Sequence, residues 1–325
     1  MRGGTLPLVC AAWVLAAACG ESPPDPIPVD AAQQAAAVQA FADARASELS
    51  APDSWLSLIG LHWLAAPVVT MGSAADNDIV LPKAAPAHLG RFISDDQSVT
   101  FRAAPGMTVV QGVDSTLDLP AGTGALSRDT TGDPEVAGAL MTQDVGSGKF
   151  VVLRHGPINW IIIRRGKRWA VRLRDNAAER YEQFHGIDRY PTDEKWRVTA
   201  RWMPHEKTVA VPNFIGTVSE VESPAELHFW LDGREMSLDV PGRPDHGRYM
   251  LVFADSTSGR QTYGGGRFLW IDGPADPERK GRVVVDFNMA YNPPCVWSEF
   301  ATCPLPTKDN RLPIRVEAGE KNWAH

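Results

Sequence analysis

The chain has 325 residues, with 39 acidic against 32 basic side chains and a formal net charge of −7 at neutral pH. That balance excludes a general nucleic-acid binder, because neutralising phosphates requires a basic surface. The remaining composition is globular, and its length suits two domains or one large β unit.

Arg2 precedes a mostly apolar run from Leu6 to Ala18 that ends in small residues directly before Cys19. The run is too short to span a bilayer as a helix and has the layout of a secretory signal. Its end, Leu15-Ala16-Ala17-Ala18-Cys19, resembles the bacterial lipobox, with Ala16 in the place of the usual leucine. The resemblance implies cleavage before Cys19, acylation of that cysteine, and a membrane-anchored lipoprotein exposed outside the cytoplasm in the bacterial envelope. Residues 1–19 are then leader. Residues 20–30, with four prolines between Glu21 and Asp30, read as an extended, semi-rigid tether.

Asp30 followed by Gln33 has the form of a capping box, and Ala35, Val38, Phe41, Ala42 and Leu49 fall at helical spacing, which predicts a helix over 31–49. Arg45 interrupts the stripe and places that helix against a surface. The apolar stretch Ser54 to Leu64 fits helix and strand equally, and His62 within it has no ligand-type residue four places on. Between Met71 and Phe92, a glycine, an Asn77-Asp78 turn, an Ile-Val-Leu strand and a turn with His88 follow one another. This pattern resembles the forkhead-associated domain, a β-sandwich that binds phosphothreonine. Ser73 stands where that family has arginine and Pro86 where it has serine, so of the phosphate-binding positions only His88 is kept. A first folded unit over 31–145 follows, a helix plus a β-sandwich.

From Phe150 the alternation is regular, and three runs through Asp175 read as consecutive antiparallel strands. Trp169, Val171 and Leu173 face one way and Arg172 and Arg174 the other. WRVTARW repeats the pattern, with Arg197, Thr199 and Arg201 outward. If these strands pair, four arginines share one surface, a seat for a carboxylate or phosphate if they are not simply solvated. Further runs, including the Asp232-Gly233 hairpin, extend a C-terminal sandwich or barrel over 146–325. The fold class is mainly β.

No G-x-S-x-G elbow, H-E-x-x-H helix, P-loop or dinucleotide fingerprint is present in the sequence, and Tyr291 and Trp297 break the calcium-loop pattern begun by Asp286. No cofactor is expected. Cys295 and Cys303, eight apart, are candidates for a disulfide; a metal is not expected there, because two thiolates lack neighbouring ligands. The strand ending at Asp286 runs into Asn292-Pro293-Pro294, which must turn, and Pro304, Pro306 and Pro313 stiffen the return.

The motifs YGGGRFL, DFNMAYNPPC, ATCPLP, NRLP and AGEK, in that order, closely resemble the C-terminal signature of the bacterial domain-of-unknown-function family 1684. SWLSLIGLHWL, the GS…NDIVLP segment, RLRD and WRVTARWMP extend the resemblance upstream, over nearly the whole chain from about Ala31. It implies no activity. The candidate ligand or catalytic groups are Tyr263, Arg267, Asp286, Asn288, Tyr291, Asn292 and Arg311, supported by Glu317, Glu320 and Lys321 and held by the stiff loop against an open cavity. The leading expectation is an envelope protein that binds a small or polymeric ligand on its C-terminal half. One alternative is a hydrolase using Asp286 or a glutamate with Arg267 or Arg311; another is an envelope assembly factor. In a purely structural reading Asp286 caps a turn, Arg311 pairs with Glu317, and the loop is a plug.

Overall fold

A computed structural model describes residues 22–114, 126–128, 139–141, 150–165 and 168–323. Cys19 and its expected acylation lie outside these residues. Helix α1 (Ala31–Ser50) begins where the capping box places it, with the Asp30 carboxylate accepting the Gln33 N–H at 2.9 Å. Among its residues only Gln34, Val38 and Leu49 are buried. The apolar stretch after it resolves into a single 3₁₀ turn, Trp55–Ser57, and then strand β1 (Leu58–Trp63).

Strands β2 (Val68–Gly72), β3 (Ile79–Val80), β4 (Gly90–Ser94) and β5 (Val99–Ala103) form one sheet in the order β3-β2-β4-β5. Strand β6 (Val110–Asp114) leaves it, and β7 (Leu126–Arg128) pairs with β8 (Ala139–Met141). Strands β9 (Phe150–His155), β10 (Ile158–Arg165) and β11 (Arg168–Asp175) are consecutive and antiparallel, as the alternation predicts. They join β1 and β6 in the order β1-β11-β10-β9-β6. The two sheets bury Met71, Phe92, Phe101, Trp160, Val171 and Leu173 between them, a β-sandwich.

The sandwich therefore takes in the strands of 150–175, which the sequence boundary at 145/146 assigns to the second unit. Strand β11 pairs with β1, more than a hundred residues upstream, and no local pattern encodes that. A correction concerns β11, whose residues 169–175 are all buried. Arg172 and Arg174 are each 1% exposed, and the Arg172 guanidinium lies 5.5 Å from the Trp55 ring centroid. They share no surface with Arg197 and Arg201, which lie in another sheet.

After the short helix α2 (Arg180–Gln183), strands β12 (Arg197–Pro212), β13 (Val218–Leu231), β14 (Arg234–Asp239) and β17 (Gly281–Asp286) make a sheet ordered β14-β13-β12-β17. The β13–β14 hairpin turns on Asp232 and Gly233 with φ of 49° and 71°, the left-handed pair that an Asp-Gly turn supplies. Strands β15 (Arg248–Phe253) and β16 (Arg267–Asp272) form a separate two-stranded ribbon. It packs on the four-stranded sheet around Trp202, Leu227, Phe229, Leu251, Phe253 and Phe287. This half is open, without a closed barrel among the described residues. The coil after β17 lies between the halves: Trp297 and Val296 pack with Leu49 and Leu56, and Cys295 and Cys303 pack with Leu58 and Val252.

Candidate functional site

The stiff segment predicted after β17 exists, but it is a bracket between elements and its charged groups are turned inward. Asp286 ends β17 and accepts the Asn288 N–H and Nδ2–H at 3.0 and 2.8 Å, and its other oxygen accepts Gln34 Nε2–H of α1 at 3.0 Å. Asn288, 1% exposed, also donates to the Asp193 carbonyl and accepts the Asp193 N–H. Asn292 is fully buried; its N–H donates to Glu320 Oε2 at 2.7 Å and its Nδ2–H to the Lys321 carbonyl at 2.7 Å.

Glu320 is the centre of this bracket. Its carboxylate, 0% exposed, faces Arg45 Nε at 3.4 Å and Arg189 Nη1 at 3.6 Å. Burial pushes the Glu320 carboxyl up, against the pull of Arg45, the Asn292 N–H and Arg189. Burial opposes the charge on Arg45, yet Glu320 and Glu48 outweigh it and raise its pKa. Arg267 forms a second centre: it is 0% exposed, pairs with the equally buried Asp255 at 2.8 Å, and donates to the carbonyls of Val316 and Ala318. Burial lowers its pKa, with Asp255 opposing.

Tyr291 packs edge-on against Phe268 and Phe41 under the Arg45 guanidinium. Tyr263 is half-buried beside the two cysteines, and burial together with the two sulfur atoms raises its phenol to about 12. Cys295 and Cys303 are buried free thiols, so the expected bridge is not formed in this structure. Each sulfur accepts the other residue's N–H, at 3.1 and 3.3 Å, and the two side chains face one another. The hydrogen bond from Cys303 lowers the Cys295 pKa, while burial raises that of Cys303.

Arg311 is exposed, its backbone bridged to Ala254. Glu317 pairs with Arg315 at 2.8 Å and not with Arg311, and the Lys321 ammonium lies over the Tyr190 ring. Of the sequence-derived candidates, Arg267, Asn288, Asn292 and Glu320 lie in packed protein, whereas Arg311 and Glu317 are exposed. The carboxylates of Asp286 and Glu320 and the amide of Asn288 are taken up by the protein's own chain.

The groove that does open lies on the outward face of β12 and β17, and it is partly filled by the proline-rich tether. Arg197 Nη1–H donates to the Ile27 carbonyl at 2.8 Å, Arg282 Nη1–H to the Asp25 carbonyl at 2.9 Å, and Arg201 to the Ser22 carbonyl. Thr199 Oγ1 accepts the Ile27 N–H at 2.7 Å. A cleft of about 360 Å³ remains beside the segment, lined by Pro26, Ile27, Gln34, Glu194, Arg197 and Trp230. The alternation in WRVTARW points Arg197, Thr199 and Arg201 outward. What it does not reveal is that Arg282 joins them through the Arg201–Arg282 register, or that residues 22–27 lie on them as more than a free stalk.

Residues 182–321 match the family model described as a protein of unknown function, DUF1684. No curated protein matches the chain. Among solved structures, an uncharacterized protein of Haloarcula marismortui, determined by solution NMR, is 31% identical; the match covers 44% of this chain and 80% of that one, with a TM-score of 0.38.

Proposed function

Because residues 182–321 match the DUF1684 family of unknown function, which brings no activity with it, we propose from the geometry that the chain is a lipid-anchored binding protein of the bacterial envelope. Its ligand is an extended, proline-rich polypeptide, received in the groove formed by Arg197, Thr199, Arg201, Arg282 and Trp230. One observation carries this reading. Three guanidinium groups donate to three backbone carbonyls of residues 22–27 while Thr199 takes one N–H, so the groove reads main chain at fixed spacing. Proline holds such a segment extended before it binds, which lowers the ordering cost. The protein's own tether is the resident occupant and a ligand in trans displaces it. In the same oxidising compartment Cys295 and Cys303 close to a disulfide, passing two electrons and two protons to a disulfide-bearing oxidant.

The test replaces residues 22–28 by a glycine-serine linker of equal length and titrates a fluorescent peptide carrying residues 22–29 into the otherwise complete protein. Saturable binding is expected, weakened about tenfold or more by Arg197→Ala with Arg282→Ala, since a hydrogen bond from a charged donor contributes roughly 1.5–3 kcal/mol. Absence of binding at millimolar peptide would end the proposal.

A further inference from the structure

Strands β12 and β13, 16 and 14 residues long, extend well past the 6-residue β14 and β17 beside them and end in an arm. Its tip, residues 212–218, exposes Phe214 (47%), Ile215 (42%) and Val218 (61%). Phe214 is the one aromatic ring among the large apolar side chains that are exposed in the described residues. Such a cluster costs solubility unless something covers it.

The tip is rigid. Asn213 Oδ1 accepts the N–H groups of Ile215 and Thr217 at 3.1 and 3.0 Å, the Asn213 N–H donates to the Thr217 carbonyl at 2.9 Å, and Gly216 takes a φ of 80°. From below, the Phe214 N–H donates to the Cys303 carbonyl at 3.0 Å and the Leu305 N–H to the Pro212 carbonyl at 2.8 Å. The proline-rich return of the C-terminal coil thus braces the turn in the conformation that presents Phe214 and Ile215. Directly beneath lies an apolar cavity of about 170 Å³, lined by Val211, Val221, Pro241, Met250, Pro304 and Leu305 among others. A protruding apolar turn above an apolar cavity is the arrangement that enters the acyl boundary of a lipid layer while the cavity receives a chain end.

We propose that this arm tip is a lipid-contacting element that inserts Phe214, Ile215 and Val218 into the membrane interface. The course of the tether selects lipid as the occupant, an argument that rests on the anchored N-terminus proposed above. The chain from Ile27 back to Ser22 runs antiparallel to β12, from Arg197 toward Arg201, so it leads toward the end of the sheet that carries the arm. The arm also carries Glu220 and Glu222 on its exposed face and the whole chain is acidic, so apolar insertion and not attraction to anionic headgroups drives the contact. This site is separate from the peptide groove, and its test uses no peptide.

The experiment sediments sucrose-loaded phosphatidylcholine vesicles with the chain starting at Gly20, which carries no acyl group; the contacts described above all lie within 22–323. The protein is expected to partition onto the vesicles with little dependence on salt. Phe214→Ser with Ile215→Ser should lower the partition coefficient by about a hundredfold, given the apolar surface withdrawn, at an unchanged melting temperature. As a second readout, Phe214→Trp should add a fluorescence signal that brominated acyl chains quench. Failure of the parent chain to partition at any lipid concentration, partitioning of the double variant equal to the parent, or an added tryptophan signal that bromine leaves untouched would each overturn the proposal.

Discussion

Arg45 and Glu320 stand 275 positions apart in the chain, and their charged groups meet at 3.4 Å behind the coil that follows β17. Arg189 approaches the same carboxylate from a third segment. The pair ties helix α1 to the C-terminal tail, and with Gln34 on Asp286 it fixes α1 at two points. Removing one member of a buried pair leaves an uncompensated charge, which is far costlier than losing the pair's net attraction. Glu320→Ala leaves the partly buried guanidinium groups of Arg45 and Arg189 without their shared carboxylate. It is expected to lower the unfolding free energy by roughly 3–5 kcal/mol in urea titration, whereas Arg45→Ala, which also gives up the exposed Glu48, should cost less. Equal, small effects from both would show that the bracket does not hold the helix.

Arg267 gives a sharper test of geometry, because Arg267→Lys keeps the charge and removes the fork. The guanidinium serves Asp255 and the carbonyls of Val316 and Ala318 at once. A lysine ammonium cannot span those acceptors, and each buried acceptor left without a donor costs about 1–3 kcal/mol. The substitution should destabilise by at least about 2 kcal/mol and raise hydrogen exchange at residues 316–320. Parent-like stability would mean that charge alone is what the site needs.

Much of this arrangement is legible in the sequence, and the part that is not has a definite cause. The Asp30 cap, the strands of 150–175 and the Asp232-Gly233 turn are local, so residue type and spacing suffice to place them. Prolines beside ionisable groups mark Asn292 and Glu320 as part of a constrained polar segment, but nothing local announces their partners Arg45 and Arg189. Which way they face is not local. Arg45 reads as a break in an apolar stripe because its partner is at the other end of the chain. Arg172 and Arg174 read as solvent-facing because a period of two assumes one wet face, whereas Trp55 lies over the Arg172 guanidinium. The stalk reads as free because proline content encodes stiffness but not the arginines that receive it.

His228 sits on β13 between two carboxylates, with Nδ1 at 3.1 Å from Glu235 and Nε2 at 3.1 Å from Glu226. Burial opposes the imidazolium, but the two acidic partners outweigh it and raise its pKa. A histidine whose folded value exceeds its unfolded value adds stability that is fully present below the unfolded value near 6.5 and is lost as pH rises through the folded one. The parent should therefore exceed His228→Gln in stability at acidic pH, with the two curves converging at alkaline pH. A constant gap between the variants across the pH range would assign His228 a packing role only.

The Cys295 and Cys303 thiols give a prediction about compartment as well as stability. Their reciprocal N–H to sulfur hydrogen bonds hold the side chains face to face across a short loop, and that loop covers Leu58 and Val252 at the junction between the two halves. Closing the bridge there removes freedom from the unfolded chain at little rearrangement of the folded one, a gain of about 2–3 kcal/mol for so short a loop. Under the export proposed above, protein recovered from outside the cytoplasm should resist alkylation at both residues until it is unfolded with reductant. In denaturant, the oxidised form should melt above the reduced form, and Cys303→Ser should abolish the difference. If both cysteines of exported, unfolded protein alkylate without reductant, the thiols are permanent and the loop is held by packing and proline alone.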